Sequence, residues 1–88
     1  MKEENNLSVR NESEIKLVLV DLAEYYNREI TKKQLDMYCE DLSEYDFSII
    51  KQASDEYRKD SENRFFPLPA DLLAISKKIT FKERIFGR

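Results

Sequence analysis

At 88 residues, 41% hydrophobic and 38% charged, the chain can bury only about 60–65% of its unfolded surface, enough for one small core but not for an enclosed active-site cavity beside it. One Gly and two Pro exclude a turn-rich β fold, and one Cys with no His excludes an internal disulfide and a Cys/His zinc site. Net charge is −3, but residues 77–88 hold five basic residues against one acid, so that segment is +4 and residues 1–76 carry −7, unlike the broad basic face of a general nucleic-acid binder.

Residues 1–11 read as a flexible polar arm. The first helix is expected over residues 12–26, with Asn11 as its cap and Glu12 and Glu14 in its first turn. Ile15, Val18, Leu19, Leu22 and Tyr26 form its apolar stripe, and Leu17 and Val20 beside that stripe point to a central helix. Thr31-Lys32-Lys33-Gln34 is a capping box that opens the second helix, with Ile30 and Leu35 placed as a hydrophobic staple. Leu35, Tyr38, Cys39 and Leu42 give its buried stripe. Asp46 caps a third helix, with Tyr45 and Ile50 as its staple, with Ile49, Ile50, Ala53 and Tyr57 inward, and with an end near Ser61.

Arg64-Phe65-Phe66-Pro67-Leu68-Pro69 cannot be helical, because each proline forces the residue before it toward extended geometry. Pro69 then suits the first position of a fourth helix, followed by Asp71 in its first turn and Leu72, Leu73, Ile75 and Ile79 on its apolar side. Beyond Thr80 the apolar residues Phe81, Ile85 and Phe86 show no sustained period. Short loops favour antiparallel neighbours. The expected fold is all-α: a compact bundle of about four short helices over residues 12–79, with the polar arm before it and a basic, apolar tail at 80–88.

No catalytic constellation emerges. The acids Glu40, Asp41 and Glu44, and Asp55, Glu56, Asp60 and Glu62, read as solvated helix faces balanced by Lys and Arg. EF-hand spacing, a Gly-rich phosphate loop and a nucleophile elbow are all missing. Cys39 has no His to serve as its base and shares the stripe of Leu35 and Leu42, so it reads as a core thiol. No enzyme activity, cofactor or metal is expected. Five tyrosines (25, 26, 38, 45 and 57) lie at or near the apolar stripes. They can seal the edge of the core with their hydroxyls in water, or form an interface patch. The Phe-Phe-Pro-Leu-Pro stretch likewise reads as a scaffold plug, or as a strip for an aromatic groove.

From about Leu17 to Ile79, 63 of the 88 residues, the chain resembles a known family. The residues that carry the resemblance are Leu22-Ala23-Glu24-Tyr25-Tyr26, Ile30-Thr31-Lys32-Lys33-Gln34-Leu35, Tyr38-Cys39-Glu40-Asp41-Leu42, Ala53 with Tyr57, and Arg64-Phe65-Phe66-Pro67-Leu68-Pro69-Ala70-Asp71-Leu72-Leu73. The stretch is similar to the helical N-terminal domain of phage-encoded loaders and inhibitors of the replicative DNA helicase. In that family a flexible C-terminal part engages the helicase, whereas here about nine residues follow Ile79. The resemblance implies a non-enzymatic partner of the replicative helicase or another replication factor. Candidate contacts are Phe81, Lys82, Arg84, Ile85 and Phe86, then Phe65, Phe66 and Leu68. An apolar-basic strip of this kind suits an acidic, grooved partner, and direct nucleic-acid contact should be weak or absent. The alternative is a small acidic inhibitor that mimics DNA toward a host nuclease or defence complex. No apolar run approaches the ~18 residues of a membrane span, and without a disulfide framework or signal peptide a cytoplasmic location, that of the host bacterium for a phage protein, is expected.

Overall fold

Helices run here as far as the sequence lets them, and several end later than their apolar stripes. In the computed structural model, which describes residues 2–86 and the side chains of residues 9–85, α1 covers Lys2–Tyr25, α2 Lys32–Leu42, α3 Phe47–Lys59 and α4 Pro69–Phe86. This is the expected all-α architecture of four helices.

α1 starts ten residues before Glu12. Between Lys2 and Asn11 the sequence has neither Gly nor Pro to stop a helix. Asn11 is therefore no cap of its own helix. Its Nδ2 donates to the Tyr45 carbonyl at 3.2 Å, and its Oδ1 accepts from the Phe47 N–H at 2.8 Å. One carboxamide thus ties α1 to the α2–α3 turn and supplies the partner that the first amide of α3 lacks. Ile15, Leu19, Leu22 and Ala23 are buried, whereas Leu17 is 58% exposed. α1 is therefore amphipathic rather than central. It closes in a Schellman motif: Arg28 N–H donates to Ala23 O at 2.8 Å and Asn27 N–H to Glu24 O at 3.0 Å, with Asn27 left-handed at φ 54°.

The other two predicted caps, Thr31 and Asp46, form. Gln34 N–H donates to the Thr31 hydroxyl, and Thr31 N–H to the Gln34 side chain, each at 3.0 Å. Asp46 accepts from Ser48 N–H at 3.0 Å and from its hydroxyl at 2.7 Å, and these bonds hold the Asp46 carboxyl below the usual aspartate range. Ile30, Leu35 and Tyr45 pack on the core as half-buried residues, around buried Cys39, Leu42, Ile50 and Ala53. α3 ends at Lys59, two residues before Ser61, as Asp60 turns extended.

Pro69 opens α4, and the Asp71 carboxylate accepts from Leu68 N–H at 3.0 Å. The helix passes Thr80 and reaches Phe86, so the tail expected at 80–88 is largely its last turns. Phe81 and Ile85 are one helical turn apart, but on the face opposite Ile79, so they never extend the core stripe.

Packing runs round a cycle, α1 on α2, α2 on α4, α4 on α3 and α3 on α1. The molecule measures 41 × 36 × 16 Å. Each helix keeps an exposed outer face. One core atom is poorly served: Ser76 is fully buried, yet its Oγ has no hydrogen-bond partner.

Two stability measurements by urea denaturation follow from these contacts. Asn11→Ala is expected to cost about 1–2 kcal/mol, because it strands an amide and a carbonyl at once; an unchanged midpoint would show that the bridge contributes nothing. Ser76→Ala is expected to raise stability by about 1 kcal/mol, because it removes a buried hydroxyl with no partner, and a loss of stability would contradict the packing described.

Candidate protein-binding surfaces

Residues 60–68 join α3 to α4 without helix or strand. One backbone bond forms within this stretch, Asn63 N–H to Asp60 O at 2.9 Å, and Pro67 has no N–H to offer. Three of its carbonyls are met by side chains from outside. Tyr26, just past the end of α1, donates to Asn63 O at 3.0 Å, Tyr57 of α3 to Phe65 O at 2.9 Å, and Tyr38 of α2 to Pro67 O at 2.9 Å. Two helices and the turn that ends a third each lend one hydroxyl to alternate carbonyls of one loop. Asn63 Nδ2 adds a bond to Tyr57 O at 2.9 Å. Partial burial pushes the Tyr26 and Tyr57 hydroxyls above the usual tyrosine range, so both remain protonated donors well into alkaline solution. The tyrosine hydroxyls expected in water are therefore structural at these three positions. A fourth, Tyr25, reaches Arg58 O at 3.4 Å.

The two readings of Phe-Phe-Pro-Leu-Pro divide between its residues. Phe66 is only 8% exposed. Its ring lies 5.6 Å from that of Tyr38, and the Arg28 guanidinium covers it at 4.8 Å. Phe66 and Pro67 are core, so Phe66 leaves the set of surface contacts expected from the sequence. Phe65 and Leu68 point outward, 81% and 64% exposed. They are the two most exposed large hydrophobic residues among those described.

The second surface is the outer side of α4. Ala74, Lys77, Lys78, Phe81 and Lys82 line a shallow apolar recess of about 390 Å³. Phe81 is 61% and Ile85 56% exposed, and Lys82 and Arg84 are exposed beside them. The Phe86 side chain lies outside the described residues. The inner side of the same helix buries Leu72, Ser76 and Ile79, which fixes the direction in which Phe81 faces.

Two other recesses each contain an aspartate held by two cations. Between α1 and α3, Asp55 lies 3.5 Å from Lys51 and 3.4 Å from Arg58, whose guanidinium sits 5.2 Å over the Tyr25 ring. Between α1 and α2, Lys16 lies 3.0 Å and Lys32 3.6 Å from Asp36. This pairing raises the Lys16 pKa and lowers that of Asp36. Buried Cys39 points its Sγ at Glu12 O, 3.6 Å away. Desolvation raises its pKa, the opposite of what a nucleophilic thiol needs. Among the described residues no three acid or Cys side chains gather as a metal site.

The model of a known protein family, the N-terminal domain of a phage helicase loader/inhibitor, matches residues 11–73. The chain belongs to this family. The match begins at Asn11, the residue that bridges to the α2–α3 turn, and spans the three tyrosines and the loop they hold. It stops at Leu73, before the outer recess of α4. No curated protein and no solved structure matches the chain. No described helix is long and apolar enough to cross a membrane.

The loop bonds were not legible from spacing. Only the wealth of tyrosine pointed toward them, since a ring at the core edge needs a partner for its hydroxyl. Tyr26→Phe and Tyr38→Phe are each expected to cost about 1 kcal/mol, because their bonds are partly shielded from water, and Tyr57→Phe less, because its bond is exposed. Thermal unfolding of the three variants checks the order, and equal losses would show that shielding does not set the strength of these bonds.

Proposed function

We propose that this chain is a non-catalytic phage or prophage protein that binds the replicative DNA helicase of its bacterial host, as a loader or an inhibitor. The observation that carries the reading is the outer side of α4, where Phe81 and Ile85 stand more than half exposed within a rim of lysines. Family membership supports a partner in the replication machinery, and the outer side of α4, which lies beyond the matched residues, offers a surface for it. Lys77, Lys78, Lys82 and Arg84 give it the charge to steer toward an acidic groove, while Phe81 and Ile85 supply the apolar contact that holds the complex. In this reading the work is done by occupying a surface, which the raised pKa of buried Cys39 supports.

The DNA-mimic alternative draws on the −7 of residues 1–76. Asp36 and Asp55 are each tied to two cations of the same chain, and this spoils the unbroken run of negative charge that a mimic presents.

The test is a titration of purified host replicative helicase with the wild-type chain and with the double variant Phe81→Ala/Ile85→Ala. Two anchors of this size predict a roughly 10- to 100-fold loss of affinity, while the fold survives because both side chains lie off the core. Unwinding assays on the same complex separate loader from inhibitor. A wild-type chain that fails to bind the helicase at low salt would overturn the reading.

A further inference from the structure

The cations of α4 meet no acid within the chain. From Lys77 to Ile85, Lys77, Lys78, Lys82 and Arg84 stand against Glu83 alone, a local charge of +3 around exposed Phe81 and Ile85. Only Arg84 lies in the last turn, where the helix dipole itself favours a cation. Among the described residues none of the four forms an ion pair.

α2 carries the opposite arrangement. Lys33, Met37, Glu40 and Asp41 fall on its outer face at helical spacing, and Glu44 follows in the turn that ends it; all five are exposed. Lys16 and Lys32 hold Asp36, whereas Glu40, Asp41 and Glu44 form no ion pair among the described residues. With Glu12 and Lys16 from the α1 side of the adjoining recess, five acids (Glu12, Asp36, Glu40, Asp41 and Glu44) face three lysines (Lys16, Lys32 and Lys33), a charge of −2. Arg10 and Asp46, which attract one another, cancel. The cations of α2 gather at its start and the excess acid at its end. No basic residue occupies its last turn, so Glu40 and Asp41 add to the negative end of the helix dipole instead of offsetting it.

The two faces complement each other. One sets an aromatic and an aliphatic side chain within positive charge, and the other sets a methionine, 57% exposed, within negative charge. A thioether against an aromatic ring is a favourable contact, and carboxylates without partners suit lysines without partners. Met37 and Phe81 are both exposed in the folded chain, so the two faces meet only between copies. The net charge of −3 opposes this weakly, because charges more than about 8 Å apart are screened at physiological ionic strength. A nucleic acid would use the basic strip but leave Met37 and the acids idle.

We propose that the chain associates with itself, the apolar-basic strip of α4 on one copy docking on the acidic Met37 face of α2 on another. The contact covers the strip assigned above to the helicase, so the two associations exclude one another, but self-association does not depend on the helicase reading.

Sedimentation equilibrium of the purified chain tests this, at about 50 mM and about 500 mM salt. Wild type is expected to exceed monomer mass at the lower salt with a Kd of about 10–100 μM, as for a small transient interface, and to weaken about 5-fold or more at the higher. Lys77→Glu/Lys78→Glu/Lys82→Glu and Glu40→Lys/Asp41→Lys/Glu44→Lys should each stay monomeric. Their equimolar mixture should associate again, because the unaltered α2 face of the first meets the unaltered α4 strip of the second. Met37→Ala and Phe81→Ala leave the charge as it is, and each should weaken wild-type association about 10-fold with an unchanged melting temperature in dilute solution. Wild type that stays monomeric at low salt, association that survives Met37→Ala, or a mixture that fails to associate would each overturn the inference. A chain that self-associates yet does not bind the helicase leaves it standing and overturns only the function proposed above.

Discussion

An extended segment with two prolines, laid against helices whose own hydrogen bonds are complete, must take its partners from side chains. That constraint shapes this molecule. The α3–α4 connection has no strand beside it to accept its backbone. Tyr26, Tyr38 and Tyr57 meet the need with one hydroxyl each. Because the donors sit on α2, on α3 and in the turn that ends α1, the loop depends on the correct placement of all three, and it in turn ties them together. The position of α4, which begins directly after the last clamped carbonyl, follows from this arrangement.

Asn11 solves a similar problem at the other end of the molecule. Helix starts leave amides without partners, and α3 receives one of its partners from α1 rather than from its own cap. This bond and the tyrosine bonds join residues 29 to 37 positions apart in sequence, apart from the local Tyr57 bond. In an 88-residue chain with little core to spare, such directional contacts fix one arrangement of helices where apolar packing alone would tolerate several.

This division explains what the sequence revealed. Local devices were legible because their partners lie within a turn of each other: the Thr31–Gln34 box, the Asp46 cap and Pro69 at the start of α4 all form where the spacing placed them. The stripes of the middle helices were legible from period, and so was Cys39 as a core thiol. Contacts across the fold were not. Nothing near Asn11 in sequence shows that it serves Phe47, and nothing separates Phe65 from Phe66 until the clamp turns one outward and the other inward. The lengths of α1 and α4 were underestimated because an apolar stripe marks where a helix is buried, while the helix continues until the backbone meets a stop.

α4 shows why the surface features belong with the fold rather than beside it. Its inner side buries Leu72, Ser76 and Ile79 against its neighbours, and its outer side presents Phe81 and Ile85. The two sides share one rigid backbone, so the core packing that orients the first set also aims the second. The loop before it works by the same logic, with buried Phe66 and Pro67 aiming Phe65 and Leu68. A surface carried by elements locked in this way loses little conformational freedom when a partner arrives. The fold thereby holds these apolar side chains out in directions that its own core sets.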